Sequence, residues 1–145
     1  MIERAKELAE RVHAKQTRWD GSPYIEHPRR VAESVMNSGY MDEIIAIGWM
    51  HDAIEDADDS DVIRSEIKAN FNNEVYSALI ALTHNKSDTY AQYIKVVGTN
   101  VHAICVKIAD LKDNLSDLKD GQRKQKYELA LMYLEEKLKQ YLKGV

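Results

Sequence analysis

The sequence has little of what stabilises small secreted proteins or anchors proteins in a membrane. Its 145 residues include one cysteine, Cys105, so no disulfide can form within the chain and no CxxC pair is present. No stretch approaches the about 18 to 20 apolar residues of a membrane span, and the amino-terminal MIERAKELAERVHAKQ is too charged for a secretory signal. We therefore expect a cytoplasmic protein without a membrane partner.

An excess of positive charge is also absent. The chain has 20 Lys and Arg residues against 24 Asp and Glu, for a net charge of −4 and a pI of about 5.7. Binding to a nucleic acid backbone is favoured by clustered basic residues, because they release condensed counterions. The composition predicts no nucleic acid partner, and it allows a small anionic ligand where a pocket is positive or holds a metal.

Strand signals are weak, and helical spacing of apolar residues takes their place. Only two prolines and six glycines interrupt the chain, and β-branched residues rarely alternate with polar ones. The pattern predicts a single all-α domain over residues 1–145 with about eight helices. The first is predicted to end near Lys15, and the second to open at Pro28 and to end at Gly39.

The remaining helices follow from apolar runs and capping residues. DEIIAIGWMHDAIED, from Asp42, predicts one continuous and largely buried third helix, because it is apolar on most faces. Ser60, Asn72 and Ser87 are predicted to cap the next three helices. VHAICVKIADLKDNLSDL and QRKQKYELALMYLEEKLKQYL predict the last two. We interpret the final helix as a packing element, with a dimer face as the alternative.

Four carboxylates and one histidine crowd the segment MHDAIEDAD, residues 50–58. A buried carboxylate without a partner costs several kcal/mol, so these charges need a cation, a hydrogen-bond network or open solvent. On a continuous helix His51 would lie above Glu55, and Asp52 above Asp56. Taken alone, the segment fits a solvated helix end as well as a binding site.

Two other segments carry side chains of the same type. GSPYIEHPRRVAE delivers His27 immediately before a helix, and VKIADLKDNL places Asp110 in an apolar stretch with Asn114 one turn later. We call His27, His51, Asp52 and Asp110 the His–Asp cluster. Its mixed nitrogen and oxygen donors suit Mn²⁺, Fe²⁺ or Zn²⁺ better than Ca²⁺. Such an ion polarises a phosphoryl oxygen and acidifies a bound water.

The order H…HD…D resembles the HD-domain metal-dependent phosphohydrolases. More narrowly, RWDGSPYIEHPRRVA, HDAIEDAD and VKIADLKDNL are similar to the hydrolase domain of RelA/SpoT-type enzymes and their short single-domain relatives, which cleave (p)ppGpp. The similarity runs from about residue 5 to residue 118. The resemblance implies an HD-domain helical bundle and a (p)ppGpp 3′-pyrophosphohydrolase activity.

The resemblance also implies roles for individual residues. In that family a metal, usually Mn²⁺, is held by the residues that match the His–Asp cluster. Glu55 and Asp56 match a pair that positions or deprotonates the attacking water and assists the leaving group. Arg18, nine residues before the first metal histidine, matches a residue that contacts the nucleotide, and Asn114 matches one near the ribose and base.

Two positions depart from the family pattern and keep other functions open. Trp19 stands where the alarmone hydrolases often have Lys, and Asp117 where they commonly have Thr. These changes favour, as an alternative substrate, a nucleoside monophosphate, an adenine alarmone or a phosphorylated cofactor. A metal-bound nucleotide sensor without enzymatic activity is a third hypothesis, against which the intact Glu55 and Asp56 argue.

Overall fold

The computed structural model describes residues 1–144, and within that range the chain forms nine α-helices and no β-strand. The helices are α1 (Ile2–Val12), α2 (Glu26–Asn37), α3 (Asp42–Met50), α4 (Ala53–Asp56), α5 (Ser60–Asn70), α6 (Asn73–Leu82), α7 (Tyr90–Val97), α8 (Val101–Asp117) and α9 (Gln122–Lys143). The predicted all-α fold is confirmed. No helix in this range is both long and apolar enough to cross a membrane.

Helix α3 forms the centre of the bundle and packs against α1, α2, α6 and α8. Every residue from Ile44 to Met50 is buried, as expected for a helix that is apolar on most faces. The approach between α2 and α3 is close because Gly48 has no side chain: a Cβ there would lie 3.1 Å from the Cα of Ala32. This contact places the start of α2 beside the end of α3.

The predicted continuous third helix is wrong, because α3 ends at Met50 and α4 begins at Ala53. His51 and Asp52 form the turn between them. The His51 imidazole donates from Nδ1 to the carbonyl oxygen of Gly48 at 2.8 Å, and side-chain bonds of this kind compete with regular helix. Asp52 adopts φ −106° and ψ 0°, in the sparsely populated region where active-site residues often lie.

The predicted cap at Asn72 is confirmed, and that at Ser60 is wrong by one residue. The Asn72 side chain accepts the N–H of Val75. Helix α5 is capped by Asp59, whereas the Ser60 hydroxyl donates to the carbonyl of Ile54 at 2.7 Å. The carboxylate therefore takes the position that sequence reasoning assigned to the neighbouring hydroxyl.

The predicted cap at Ser87 is also wrong, because Thr89 caps α7 in a capping box with Gln92. Ser87 instead donates its hydroxyl to Asn85 in the preceding turn. The end of α2 agrees with the prediction: Gly39 follows the helix with φ +82°, a left-handed conformation that glycine adopts without steric cost.

Candidate metal centre and active site

The His–Asp cluster comes together from three distant parts of the chain. His27 lies in the first turn of α2, His51 and Asp52 form the turn between α3 and α4, and Asp110 lies in the middle of α8. One donor atom from each side chain lies within 4.8 Å of all the others. His27, His51 and Asp110 are buried, and Asp52 is partly exposed, so the cluster opens to solvent on one side.

Nitrogen and oxygen atoms of the cluster face one another at short distances. His27 Nε2 lies 2.7 Å from Asp110 Oδ1, and His51 Nε2 lies 3.1 Å from Asp52 Oδ2. The two Nε2 atoms are 3.3 Å apart, and His51 Nε2 is also 3.3 Å from Asp110 Oδ1. Four electron-rich atoms thus share one small volume.

Hydrogen bonds on the far side of each ring assign the protons. A carbonyl oxygen can only accept, so His51 carries a proton on Nδ1, which it donates to Gly48. His27 likewise donates from Nδ1 to Asp113 Oδ2 at 2.6 Å. When these imidazoles are neutral, Nε2 of each ring presents a lone pair, and the facing carboxylates add only acceptors. Such a set requires positive charge at its centre, and its mixed donors fit a borderline divalent cation.

Protonation equilibria in the cluster reflect the same concentration of negative charge. Burial opposes charge on His51, but the carboxylates of Asp52 and Asp110 raise its pKa well above the ordinary value. Burial would raise the pKa of Asp110, but the charges of Lys107 and His51 hold it well below its usual range. Protons on the imidazoles compensate the carboxylates, and a divalent cation would compete with them for the same lone pairs.

Three further side chains bind the carboxylates of the cluster. The Tyr24 hydroxyl donates to Asp52 Oδ2 at 2.6 Å, and Lys107 Nζ donates to Asp110 Oδ2 at 2.8 Å. Asn114 Nδ2 donates to Asp110 Oδ1 at 3.2 Å. Sequence reasoning did not assign Tyr24 or Lys107 to the cluster, although the position of Lys107 one helical turn before Asp110 indicates a shared face.

Asp113 lies behind His27 and was also missed. It accepts the His27 Nδ1 proton and forms a two-point contact with Arg30, whose Nε lies 2.7 Å from Oδ1 and whose Nη2 lies 3.1 Å from Oδ2. Burial alone would raise the pKa of Asp113, but the bonds from His27 and Arg30 lower it to about 2. Its place three residues after Asp110 on α8 is the signal that could have found it.

Glu55 and Asp56 lie on α4, immediately after the cluster. Glu55 is exposed, and its Oε1 accepts the backbone N–H of His84 at 2.8 Å, which ties the chain after α6 to α4. Asp56 is half-buried. Burial, followed by the negative charges of Asp52 and Glu55, raises the pKa of Asp56 to about 7. A divalent cation in the cluster would act against this rise, because positive charge favours the carboxylate.

Arg18 and Asn114 lie together beside the cluster. Arg18 Nη2 is 3.4 Å from Asn114 Oδ1 and 3.5 Å from Asp117 Oδ2, and its side chain is 8% exposed. The structure therefore pairs Arg18 with the acid that departs from the family pattern. An anionic ligand bound beside Arg18 would compete with Asp117 for this guanidinium.

A pocket of about 310 Å³ adjoins Arg18 and Asn114. Tyr127 and Arg123 of α9 line it together with Trp19, whose side chain is 75% exposed. Tyr24 belongs to the same wall and also bonds Asp52, so the pocket lies next to the His–Asp cluster. Aromatic surfaces and a guanidinium next to the cluster suit a planar, anionic ligand.

The helical fold and the H…HD…D set define a class of protein. The model of the HD domain family matches residues 5–134, and the chain belongs to this family. The resemblance drawn from the three sequence motifs is thereby confirmed.

Two bacterial proteins are similar to this chain over most of its length. The chain is 30% identical over 125 residues to the guanosine-3′,5′-bis(diphosphate) 3′-pyrophosphohydrolase of Aquifex aeolicus. The matched region covers 81% of this chain and 18% of that protein. The chain is also 30% identical over 129 residues to the probable enzyme of the same name from Synechocystis sp., with 81% and 17% of the two chains covered. The chain thus spans less than a fifth of the length of these relatives.

A solved structure has the same fold. It is described as a metazoan ortholog of SpoT that hydrolyzes ppGpp, and it superposes on 99% of this chain and 94% of its own with a TM-score of 0.71. Its sequence is 20% identical, so the likeness concerns the fold.

Proposed function

We propose that this chain is a metal-dependent phosphohydrolase of nucleotides, with (p)ppGpp as its substrate and release of 3′-pyrophosphate as its reaction. One observation carries the proposal: four potential metal-ligand atoms from three segments lie within 4.8 Å of one another, and such a set calls for a cation. The activity named for the bacterial relatives supports the choice of substrate.

In this proposal the His–Asp cluster holds one divalent cation, with Mn²⁺ as the first candidate and Fe²⁺ or Zn²⁺ as alternatives. When bound, the ion supplies Lewis-acid polarisation of a phosphoryl oxygen and acidifies water. The bonds from Tyr24 and Lys107 direct the two carboxylates toward it.

The remaining residues bind the substrate and handle protons. Glu55 and Asp56 position the attacking water, accept its proton and assist departure of the ribose 3′ oxygen, which must gain a proton. Arg18 neutralises phosphate charge after exchanging its contact with Asp117, and Asn114 orients the ribose. The adjoining pocket receives the base.

Product analysis on a nucleotide panel tests the proposal. Purified protein is loaded with Mn²⁺ and incubated with (p)ppGpp, 5′-monophosphates, an adenine alarmone and a phosphorylated cofactor. We expect pyrophosphate together with guanosine 5′-diphosphate from ppGpp, or guanosine 5′-triphosphate from pppGpp. If another compound is turned over and (p)ppGpp is not, the proposed substrate is wrong and the proposed class of reaction, metal-dependent phosphohydrolysis, is retained.

The pairing of Arg18 with Asp117 favours a second candidate function, hydrolysis of a nucleotide other than (p)ppGpp. An acid 3.5 Å from the guanidinium reduces the positive charge offered to phosphates, and the exposed Trp19 adds an aromatic surface where the family often has Lys. A less highly charged nucleotide fits such a pocket. If no compound is turned over and one binds tightly, the chain is a nucleotide sensor.

A further inference from the structure

We propose that Asp113, anchored by Arg30, is a positioning residue that holds the His27 ring so that its Nε2 faces the centre of the His–Asp cluster. The inference rests on the proposed metal site and assigns a role to a residue outside the ligand set. Asp113 acts through His27 and does not contact the cation itself.

Hydrogen bonds from two sides hold the Asp113 carboxylate in place. Its Oδ2 accepts the Nδ1 proton of His27 at 2.6 Å, and Arg30 occupies both oxygens from the other side at 2.7 and 3.1 Å. The Asp113 side chain is 14% exposed and that of Arg30 is 42% exposed. A half-exposed cation thus orients a shielded carboxylate, which in turn orients a buried imidazole.

Helical spacing explains why these contacts form together. His27 and Arg30 are three residues apart on α2, and Asp110 and Asp113 are three residues apart on α8, so each pair shares a helix face. His27 therefore contacts Asp110 through Nε2 and Asp113 through Nδ1. The same packing of α2 on α8 produces the ligand contact and its support.

The second histidine of the cluster is oriented differently. His51 donates from Nδ1 to the backbone carbonyl of Gly48, a bond that no side-chain substitution removes directly. His27 depends on a side chain, so its orientation is open to mutation. Loss of such a supporting partner typically reduces metal affinity by about 10- to 100-fold.

The test measures Mn²⁺ binding to the full chain, with free Mn²⁺ followed by electron paramagnetic resonance. We expect Asp113→Ala to raise the Kd for Mn²⁺ by about 10- to 100-fold. Asp113→Asn keeps an oxygen that accepts the Nδ1 proton and removes the charge, so its Kd should lie between those of Asp113→Ala and the wild type. The control is Arg29→Gln, which alters the neighbouring arginine on α2 that pairs with Glu26 and should leave the Kd unchanged.

Two readouts separate positioning from a structural role. At saturating Mn²⁺ the Asp113 variants should recover their turnover, and the unfolding temperature in EDTA should stay within a few degrees of the wild type. In Zn²⁺-loaded protein, the His27 Nδ1 proton should show a downfield nuclear magnetic resonance signal protected from exchange. Asp113→Ala should abolish this signal and should leave the corresponding signal of His51 unchanged.

The outcomes distinguish this inference from the proposed function. If the Kd of a folded Asp113→Ala variant lies within about twofold of the wild-type Kd, the positioning role is overturned and the metal site is unaffected. A wild-type protein that binds Mn²⁺ but hydrolyses no nucleotide overturns the enzymatic proposal, while the Kd comparison still decides the role of Asp113. A wild-type protein without Mn²⁺ affinity overturns both.

Discussion

Individual polar atoms decide what the site binds. Because the Nδ1 atoms of His27 and His51 are engaged as donors, both Nε2 atoms are left to face Asp110 and each other. The residues around the cluster are specialised further: Tyr24 bonds one carboxylate, and Glu55 bonds the chain after α6. At this scale, predictions concern single groups whose loss leaves the fold in place.

Replacing Glu55 should separate metal binding from turnover. In Glu55→Gln the amide oxygen continues to accept the N–H of His84, so the local structure is retained while the charge is lost. We expect an unchanged Kd for Mn²⁺ and a fall in turnover of about 10²- to 10⁴-fold, the usual contribution of a proton-transferring group. Asp58→Asn changes a nearby exposed acid and serves as the control. Wild-type turnover in Glu55→Gln would remove Glu55 from the mechanism.

His13 should make stability depend on pH. Burial lowers the pKa of this histidine from 6.5; the hydrogen bond with Gln16 and the charge of Asp52 oppose this effect, and His51 and His27 lower the pKa further. Its Nδ1 bonds Gln16 at 2.7 Å, and its ring packs on Tyr24. Because the unfolded chain binds the proton more readily, the stability due to neutral His13 is present above about pH 6.5 and is lost as the pH falls.

The measurement compares wild type with His13→Gln in EDTA by thermal unfolding between about pH 8 and about pH 5.5. We expect the wild type to be more stable at the higher pH and its advantage to shrink as the pH falls. Taking the difference between the proteins cancels the titration of groups that they share. A difference that stays constant over this range would show that His13 does not titrate in this way.

At the scale of secondary structure, the site depends on where helices stop and how closely they pack. The turn between α3 and α4 delivers two neighbouring cluster residues, and the glycine one turn earlier lets α2 approach α3. Helix α8 contributes residues from three positions of one face: Lys107, Asp110 and Asn114. A change in helix spacing should therefore reach the metal without touching a ligand.

Gly48→Ala tests that coupling. The added Cβ would lie 3.1 Å from Cα and 3.3 Å from N of Ala32, and these are backbone atoms that cannot rotate away. Separation of α2 from α3 should cost about 1–3 kcal/mol of unfolding free energy, as overpacking does, and should raise the Kd for Mn²⁺. Gly144→Ala, where the new Cβ meets only ordinary contacts of 3.5 Å or more, is the control. Wild-type affinity in Gly48→Ala would show that the cluster tolerates helix displacement.

At the scale of the whole molecule, the cluster links segments that are remote in the sequence. His27 and Asp110 are separated by 83 positions, and His51 and Asp52 come from a third segment between them. A cation bound by all four residues binds only the folded chain tightly. Metal binding and folding should therefore be coupled.

Chelation should lower the thermal stability of the protein. Free Mn²⁺ at 100 times its Kd is expected to add about 2.7 kcal/mol to the free energy of unfolding, visible as a higher unfolding temperature in calorimetry. Ca²⁺ at the same concentration should add less, because imidazole nitrogens suit it poorly. Asp110→Ala should lose the Mn²⁺ effect, whereas Asp117→Asn should keep it. Equal unfolding temperatures of the wild type with Mn²⁺ and with EDTA would contradict a shared metal site.

The sequence by itself determined the helical class, the order of the helices and the identity of the cluster residues. Helical periodicity is a local property, so α8 and α9 could be predicted almost to their ends. Tertiary structure alone decided the contacts of Asp113 and Tyr24. Those depend on which side chains other helices bring near, and pair contacts between remote residues are not encoded in the spacing of either segment.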